Sequence, residues 1–261
     1  MRVFTCADRW EDMASCIYDA WAWALTGGHD RLRLEKEPVL QATLFDEYVH
    51  IEPDAVKAEK VMRSVWHKIS PEAYHLISYA SLYREDMLDE IYRFLRLGFS
   101  AGGRATAMLT DPHVMRLMEA SRNVTNEIHY FREFARFDQM ADGVLVSHIE
   151  PKNQVVYPVS EHFADRMPSL SWMMIDDRRR LAVVHPADEP SYLRELTGEE
   201  TALLAQSEQE SDAYSDLWQT FFSATAIPQR ENPACQRTHF PLWMRRHATE
   251  FQRRPARSDL I

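Results

Sequence analysis

Apolar residues recur at two different spacings along this chain, and the switch between them marks out its elements. Residues 1–6 alternate weakly and predict a short strand. Trp10, Met13, Ala14, Ile17, Trp21, Ala24 and Leu25 then fall at helical spacing, which predicts a helix over 9–25 that Gly27 and Gly28 stop. Residues 29–53 show no period and read as irregular, anchored by Leu32, Leu34, Leu44 and Phe45. The helical period returns at Ala55, Ala58, Val61, Met62, Val65 and Ile69. Ser70 as N-cap and Pro71 in the first turn start another helix, predicted to run to about Leu97. Asp111-Pro112 opens the longest helix, with Val114, Leu117, Met118, Val124, Ile128 and Phe131 on its apolar face.

From Phe134 the period becomes two. Residues 134–140 predict a strand, Ala141-Asp142-Gly143 a turn, and Val144 to Ile149 the returning strand. After a short helix from Glu161 to Met167 comes a second hairpin, Ser171 to Asp176 and Arg179 to His185, turning at Asp177-Arg178. Thr197 and Glu200 have the spacing of a capping box and predict a helix through Tyr214, Leu217, Trp218, Phe221 and Phe222. The tail from Ile227 keeps no period before Trp243. Helices first and hairpins afterwards argue for an α+β fold, a helical lobe packed on a small antiparallel sheet of β-hairpins, and against a doubly wound sheet. No repeat or flexible linker divides the chain, so the expectation is a single integrated domain over 1–261 with an arginine-rich tail at about 228–261.

Charge sharpens this picture. The net charge is −10, yet residues 228–261 carry seven arginines against Glu231, Glu250 and Asp259. An acidic body disfavours unspecific wrapping of nucleic acid, while a local basic strip remains able to hold phosphate. The tail suits docking onto its own acidic body equally well. No run approaches the roughly 20 apolar residues of a membrane span. The first residues show no apolar signal core, so the expected location is the cytoplasm, away from membranes. Cys6, Cys16 and Cys235 are odd in number and lack a CxxC pair, which favours buried, inert thiols over a disulfide or cysteine-rich metal framework.

Candidate chemistry gathers in the hairpin region. Arg136 is predicted on the first hairpin strand and His148 on its partner; His162 and Arg166 share a helix face; Asp176 and Arg179 flank the second turn. If both hairpins join one sheet, His162, Asp176 and Arg136 are the catalytic candidates. Arg136, Arg166 and Arg179 would meet phosphate. The competing reading is a set of ion pairs that pins the hairpins. In the tail, Arg230, Asn232, Gln236 and Arg237 alternate with Phe240 and Trp243, a mixture suited to phosphates, base edges and base stacking, or to a groove of the protein itself. Gly98, Gly102, Gly103 and Arg104 read as a helix stop before they read as a phosphate loop. Glu127 and His129 miss the HExxH spacing, and Cys235-x3-His239 with His247 lacks a second cysteine pair, so neither a metal nor a cofactor is expected. No nucleophile elbow, dinucleotide fingerprint or kinase motif occurs.

Several segments in order resemble a known family: Glu127-Ile128-His129 leading to Phe134-Ala135-Arg136-Phe137, His162 to Arg166, Trp172 to Asp176 with Arg179, and Leu217-Trp218 through Ala226-Ile227 to Arg230-Glu231-Asn232-Pro233. The sequence is similar to a bacterial family described as DNA metabolism or DNA repair proteins. Its members are encoded beside a radical SAM protein of DNA modification or repair, and some carry a fused uracil-DNA-glycosylase-type domain. The resemblance implies an accessory role with that radical SAM partner, and contact with DNA or with the enzyme. The alternative is an enzyme that acts on a base or the DNA backbone. The resemblance supplies no catalytic residues.

Overall fold

The computed structural model describes residues 1–140, 143–201, 217 and 232–251. It divides into two compact units, Met1–Thr125 and Asn126–Ile261, each with its own sheet. The α+β expectation holds and both expected hairpins form, but the strands that join them pair in parallel, so the sheet is not purely antiparallel.

In the first unit β1 (Arg2–Cys6) lies between β2 (Leu32–Lys36) and β3 (Glu47–His50), parallel to both. A central parallel strand is covered on both faces, so it reads as a nearly continuous buried run: Val3, Phe4, Thr5 and Cys6 are all buried. Parallel neighbours need a crossover. α1 (Trp10–Gly27) supplies it between β1 and β2, burying Met13, Ala14, Ile17 and Ala20. The stretch 29–53 therefore holds two strands rather than irregular chain. They are five and four residues long, too short to establish a period, although Leu32 and Leu34 are buried at alternate positions.

α2 (Ala55–Lys68) starts at Asp54, whose carboxylate accepts from the N–H of Val56 and Lys57. α3 (Pro71–Ser81) starts at the Ser70 cap with Pro71 in its first turn. The single helix expected from there to Leu97 is broken. α3 ends at Ser81, and just before α4 (Leu88–Ala101) Asp86 accepts from the N–H of Leu88 and of Lys36. Leu88, Ile91, Tyr92, Phe94 and Leu95 form its buried face. Gly102 closes α4 at φ 61° and its N–H returns to the Gly98 carbonyl. The glycine cluster is thus a helix stop, followed by a 3-10 turn over Gly102–Ala107. The tryptophans of α1 are packing residues: Trp21 meets His29, Tyr92 and Phe99 edge-on, and Trp10 Nε1 donates to Met62 Sδ. α5 (Pro112–Phe134) is capped by Asp111, which accepts from the N–H of His113 and Val114.

In the second unit β4 (Asp138–Gln139), β5 (Leu145–Ile149), β6 (Trp172–Asp176), β7 (Leu181–His185) and β8 (Tyr192–Glu195) lie side by side in chain order. β4–β5, β6–β7 and β7–β8 are antiparallel. β5 and β6, which join the two hairpins, are parallel, so the sheet is mixed. The crossover is α6 (Val156–Arg166), five residues earlier at its start than the period indicated. The strand expected over 134–140 contracts to two residues, because Phe134 completes α5 and stacks on Phe240 at 4.1 Å. β8 is unanticipated: all four of its residues are exposed, and a charged edge strand carries no apolar alternation to detect. The capping box is present, with Thr197 N–H donating to Glu200 and Glu200 N–H to Thr197 Oγ1. The helix expected through Tyr214, Trp218, Phe221 and Phe222, the turn residues Ala141 and Asp142, and Arg230 lie outside the described residues. Among the described residues, no helix is long and apolar enough to cross a membrane.

One titration follows from the first unit. Burial, followed by the nearby Arg96, holds His29 below its ordinary 6.5, and its Nδ1 lies 2.7 Å from the Tyr92 hydroxyl. A depressed folded value means that the unfolded chain takes up the proton first, so this contribution to stability is present above 6.5 and is lost as pH falls from 6.5 through the folded value. The wild-type urea midpoint should fall with acidification through this window, and His29→Gln should flatten the fall. An unchanged slope in the variant would remove His29 from the account.

Candidate functional site

Because β5 and β6 run parallel, their C-terminal ends lie together, with Ile149 opposite Asp176. Such ends are where open sheets collect ligand-binding loops. Here the loop Glu150-Pro151-Lys152-Asn153 meets the turn Asp177 to Arg180. The loop's backbone is held from two sides. Glu127, buried near the start of this unit, accepts from the N–H of Lys152 and Asn153 at 2.8 Å each and from Asn153 Nδ2 at 2.6 Å. Arg179 donates to the carbonyls of Pro151 at 3.1 Å and Lys152 at 2.6 Å. Asp176 holds Arg179 in turn, accepting from its Nη1 at 2.8 Å and from the N–H of Arg178 and Arg179. Asp176 is completely buried. Burial raises its pKa, and Arg179 with the two backbone N–H groups acts against that rise.

The tail closes over this end of the sheet. Asn232 caps α7 (Pro233–His239) by accepting from Cys235 N–H. Phe240 stacks on Phe134, Trp243 meets Phe131 edge-on at 6.0 Å, and the Lys152 ammonium sits 4.7 Å over the Trp243 ring. The 3-10 turn Leu242–His247 brings Arg246 to Glu150 at 2.5 Å. Its last residue, His247, has Nε2 3.8 Å from Glu150 and 3.6 Å from Asp177. His148 Nδ1 lies 2.8 Å from Asp177 Oδ1, and its ring stacks on His247. Burial lowers the His247 pKa against the pull of Asp177 and Glu150. A cavity of about 10 Å³, near the space of one water, is lined by Arg136, His148, Glu150, Trp243 and His247 among others.

The residues singled out in the sequence are dispersed. Arg136 lies in the link after α5 and binds Glu250 with both Nε and Nη2, at 3.3 and 2.8 Å. His162 lines a separate open groove of about 540 Å³ with Arg132, Tyr157, Asp165 and Ser191. Neither Arg136 nor Asp176 lines that groove. Arg166 is exposed at the end of α6. Arg179 and Asp176 form the loop clamp. Asn232 is a helix cap, while Gln236 and Arg237 are exposed on α7, where Arg237 Nε donates to the Pro233 carbonyl. Cys6 and Cys16 are buried as expected, but Cys235 is exposed, as are the other described side chains of α7. Sequence reasoning did not find Glu150, Lys152, Asp177 or the paired position of His247. Their one shared signal is that Glu150 and Asp177 each directly follow a strand of the parallel pair.

Residues 85–250 match the family model DUF4130, a domain of unknown function. The chain belongs to this family. The matched segment contains every group of the site from Glu127 to Glu250, so the loop clamp and the docked tail are features of its DUF4130 region. No curated protein and no solved structure matches the chain.

The Arg136–Glu250 pair yields a stability prediction. The Glu250 side chain is only 5% exposed, and removing Arg136 takes away the cation that balances this buried carboxylate. Arg136→Ala should cost about 3 kcal/mol in urea unfolding, and Arg136→Met with Glu250→Leu should recover most of it. A single variant as stable as wild type would show that the pair does not hold the tail.

Proposed function

We propose that this protein is an accessory in DNA repair that contacts DNA through the loops at the ends of β5 and β6 and works with a radical SAM enzyme of DNA modification or repair. The supporting observation is a strip of exposed cations around a half-buried indole. Lys152 follows β5, Arg178 follows β6, Arg246 lies in the tail, and the Lys152 ammonium covers Trp243. Cations of this kind bind phosphate and an indole offers a stacking face, while neither demands a particular base. The negative charge of the remaining chain confines such contact to a strip. The radical SAM partner follows from the sequence resemblance alone. A second reading, an enzyme acting on a base or the DNA backbone, draws on the open groove beside His162.

The test is fluorescence anisotropy with single-stranded, duplex and uracil-containing DNA at several salt concentrations. Wild-type protein should bind with an affinity that falls as salt rises. The variant with Lys152→Ala, Arg178→Ala and Arg246→Ala should lower the steepness of that log–log dependence by about 2–3. No binding at low salt would overturn DNA contact. Base release or strand cleavage by the protein alone would favour the second reading.

A further inference from the structure

We propose that Glu150, Asp177 and His247 bind one divalent metal ion of the zinc class. These three side chains offer ligand atoms that all lie within 4.8 Å of one another. They come from three places in the second unit: the end of β5, the turn after β6, and the tail. Two carboxylate oxygens and an imidazole nitrogen are donors that zinc accepts at bond lengths of about 2.0–2.2 Å, which sets ligand atoms about 3.3 Å apart in a tetrahedron. His247 Nε2 lies 3.6 Å from Asp177 Oδ2 and 3.8 Å from Glu150 Oε1. Those separations are too long for hydrogen bonds and within a few tenths of an ångström of the tetrahedral edge.

A second feature points the same way. His247 Nε2 is sealed from solvent and has no hydrogen-bond partner among the described residues. A buried ring nitrogen left in that condition between two carboxylates is costly unless something fills the space. His148 completes the arrangement from behind. Its Nδ1 engages Asp177 Oδ1 and leaves Oδ2 turned towards His247, the supporting role that outer groups have around metal-bound carboxylates. Arg246 now neutralises Glu150, and its side chain is 68% exposed, so it can yield the carboxylate to an ion and return to water. Among the described residues three protein ligands are in reach, which leaves a fourth position for water or an oxygen ligand. The site does not depend on the DNA-repair reading, and either can fail without the other.

The full chain should be dialysed against buffered Zn²⁺ and its metal content measured. The expected result is one equivalent per chain, with affinity reduced by at least about tenfold in Glu150→Gln, in Asp177→Asn and in His247→Gln. Cys235→Ser should keep the metal. Circular dichroism reports whether each variant is folded. Cobalt loading of the wild-type chain tests the ligand set without any substitution, because oxygen and nitrogen donors give no thiolate-to-cobalt charge-transfer band. Failure of the wild type to retain zinc, unchanged affinity in all three ligand variants, or a thiolate band that Cys235→Ser abolishes would each overturn the assignment.

Discussion

The buried carboxylate of Glu127 is the constraint on which the rest of the site depends. A parallel strand pair forces the chain to leave β5, cross over through α6 and return along β6, and the exit loop is partly buried. Asn153 is buried in that loop, and buried backbone donors need acceptors. Glu127 accepts from both N–H groups of residues 152 and 153, while Arg179 donates to the carbonyls of residues 151 and 152. The loop is therefore satisfied from both sides by side chains, and the completely buried Asp176 pairs with Arg179. With the loop fixed, Glu150 and Lys152 face the tail at set positions. The tail then has partners to dock on: Arg246 to Glu150, Trp243 beneath Lys152, and His247 beside Asp177.

Much of the fold is legible in the sequence wherever a helix has a long apolar stripe and a side-chain cap. The starts of α3 and α5 follow from Ser70-Pro71 and Asp111-Pro112, and each cap makes the bond its residue type implies. What escapes is set by pairing between distant segments. β2 and β3 are strands because β1 lies between them, and neither is long enough to show it alone. In the break between α3 and α4, Asp86 accepts from the N–H of Lys36, a contact between residues far apart in the chain. The parallel β5–β6 pairing departs from the antiparallel sheet expected, and the short helix between the hairpins makes it possible by returning the chain to the same end of the sheet. It is not visible in the strands themselves.

The site is less legible for a related reason. The sequence directs attention to arginines and histidines near one another in order, whereas the structure uses several of them to hold itself. Arg136 secures Glu250 and Arg179 secures a loop, so both are occupied internally. The described arginines of the tail divide between the two roles weighed from charge alone. Arg245 lies over Phe240 and Phe251 and donates to the Phe240 carbonyl, Arg246 pairs with Glu150, and Arg237 is exposed on α7. The groups that do converge, Glu150, Asp177 and His247, are separated by tens of residues and have no motif spacing. Only the end of a parallel strand pair, together with a tail folded back across it, brings them within reach of one ligand.

The most direct test of this account is native-state hydrogen exchange at the amides of Lys152 and Asn153, in the wild-type protein and in Glu127→Ala. If Glu127 fixes the loop, both amides exchange slowly in the wild type, and in the variant they lose most of that protection while the β6 amides keep theirs. Exchange of both amides at exposed-loop rates in the wild type, or protection that survives loss of the Glu127 carboxylate, would contradict it.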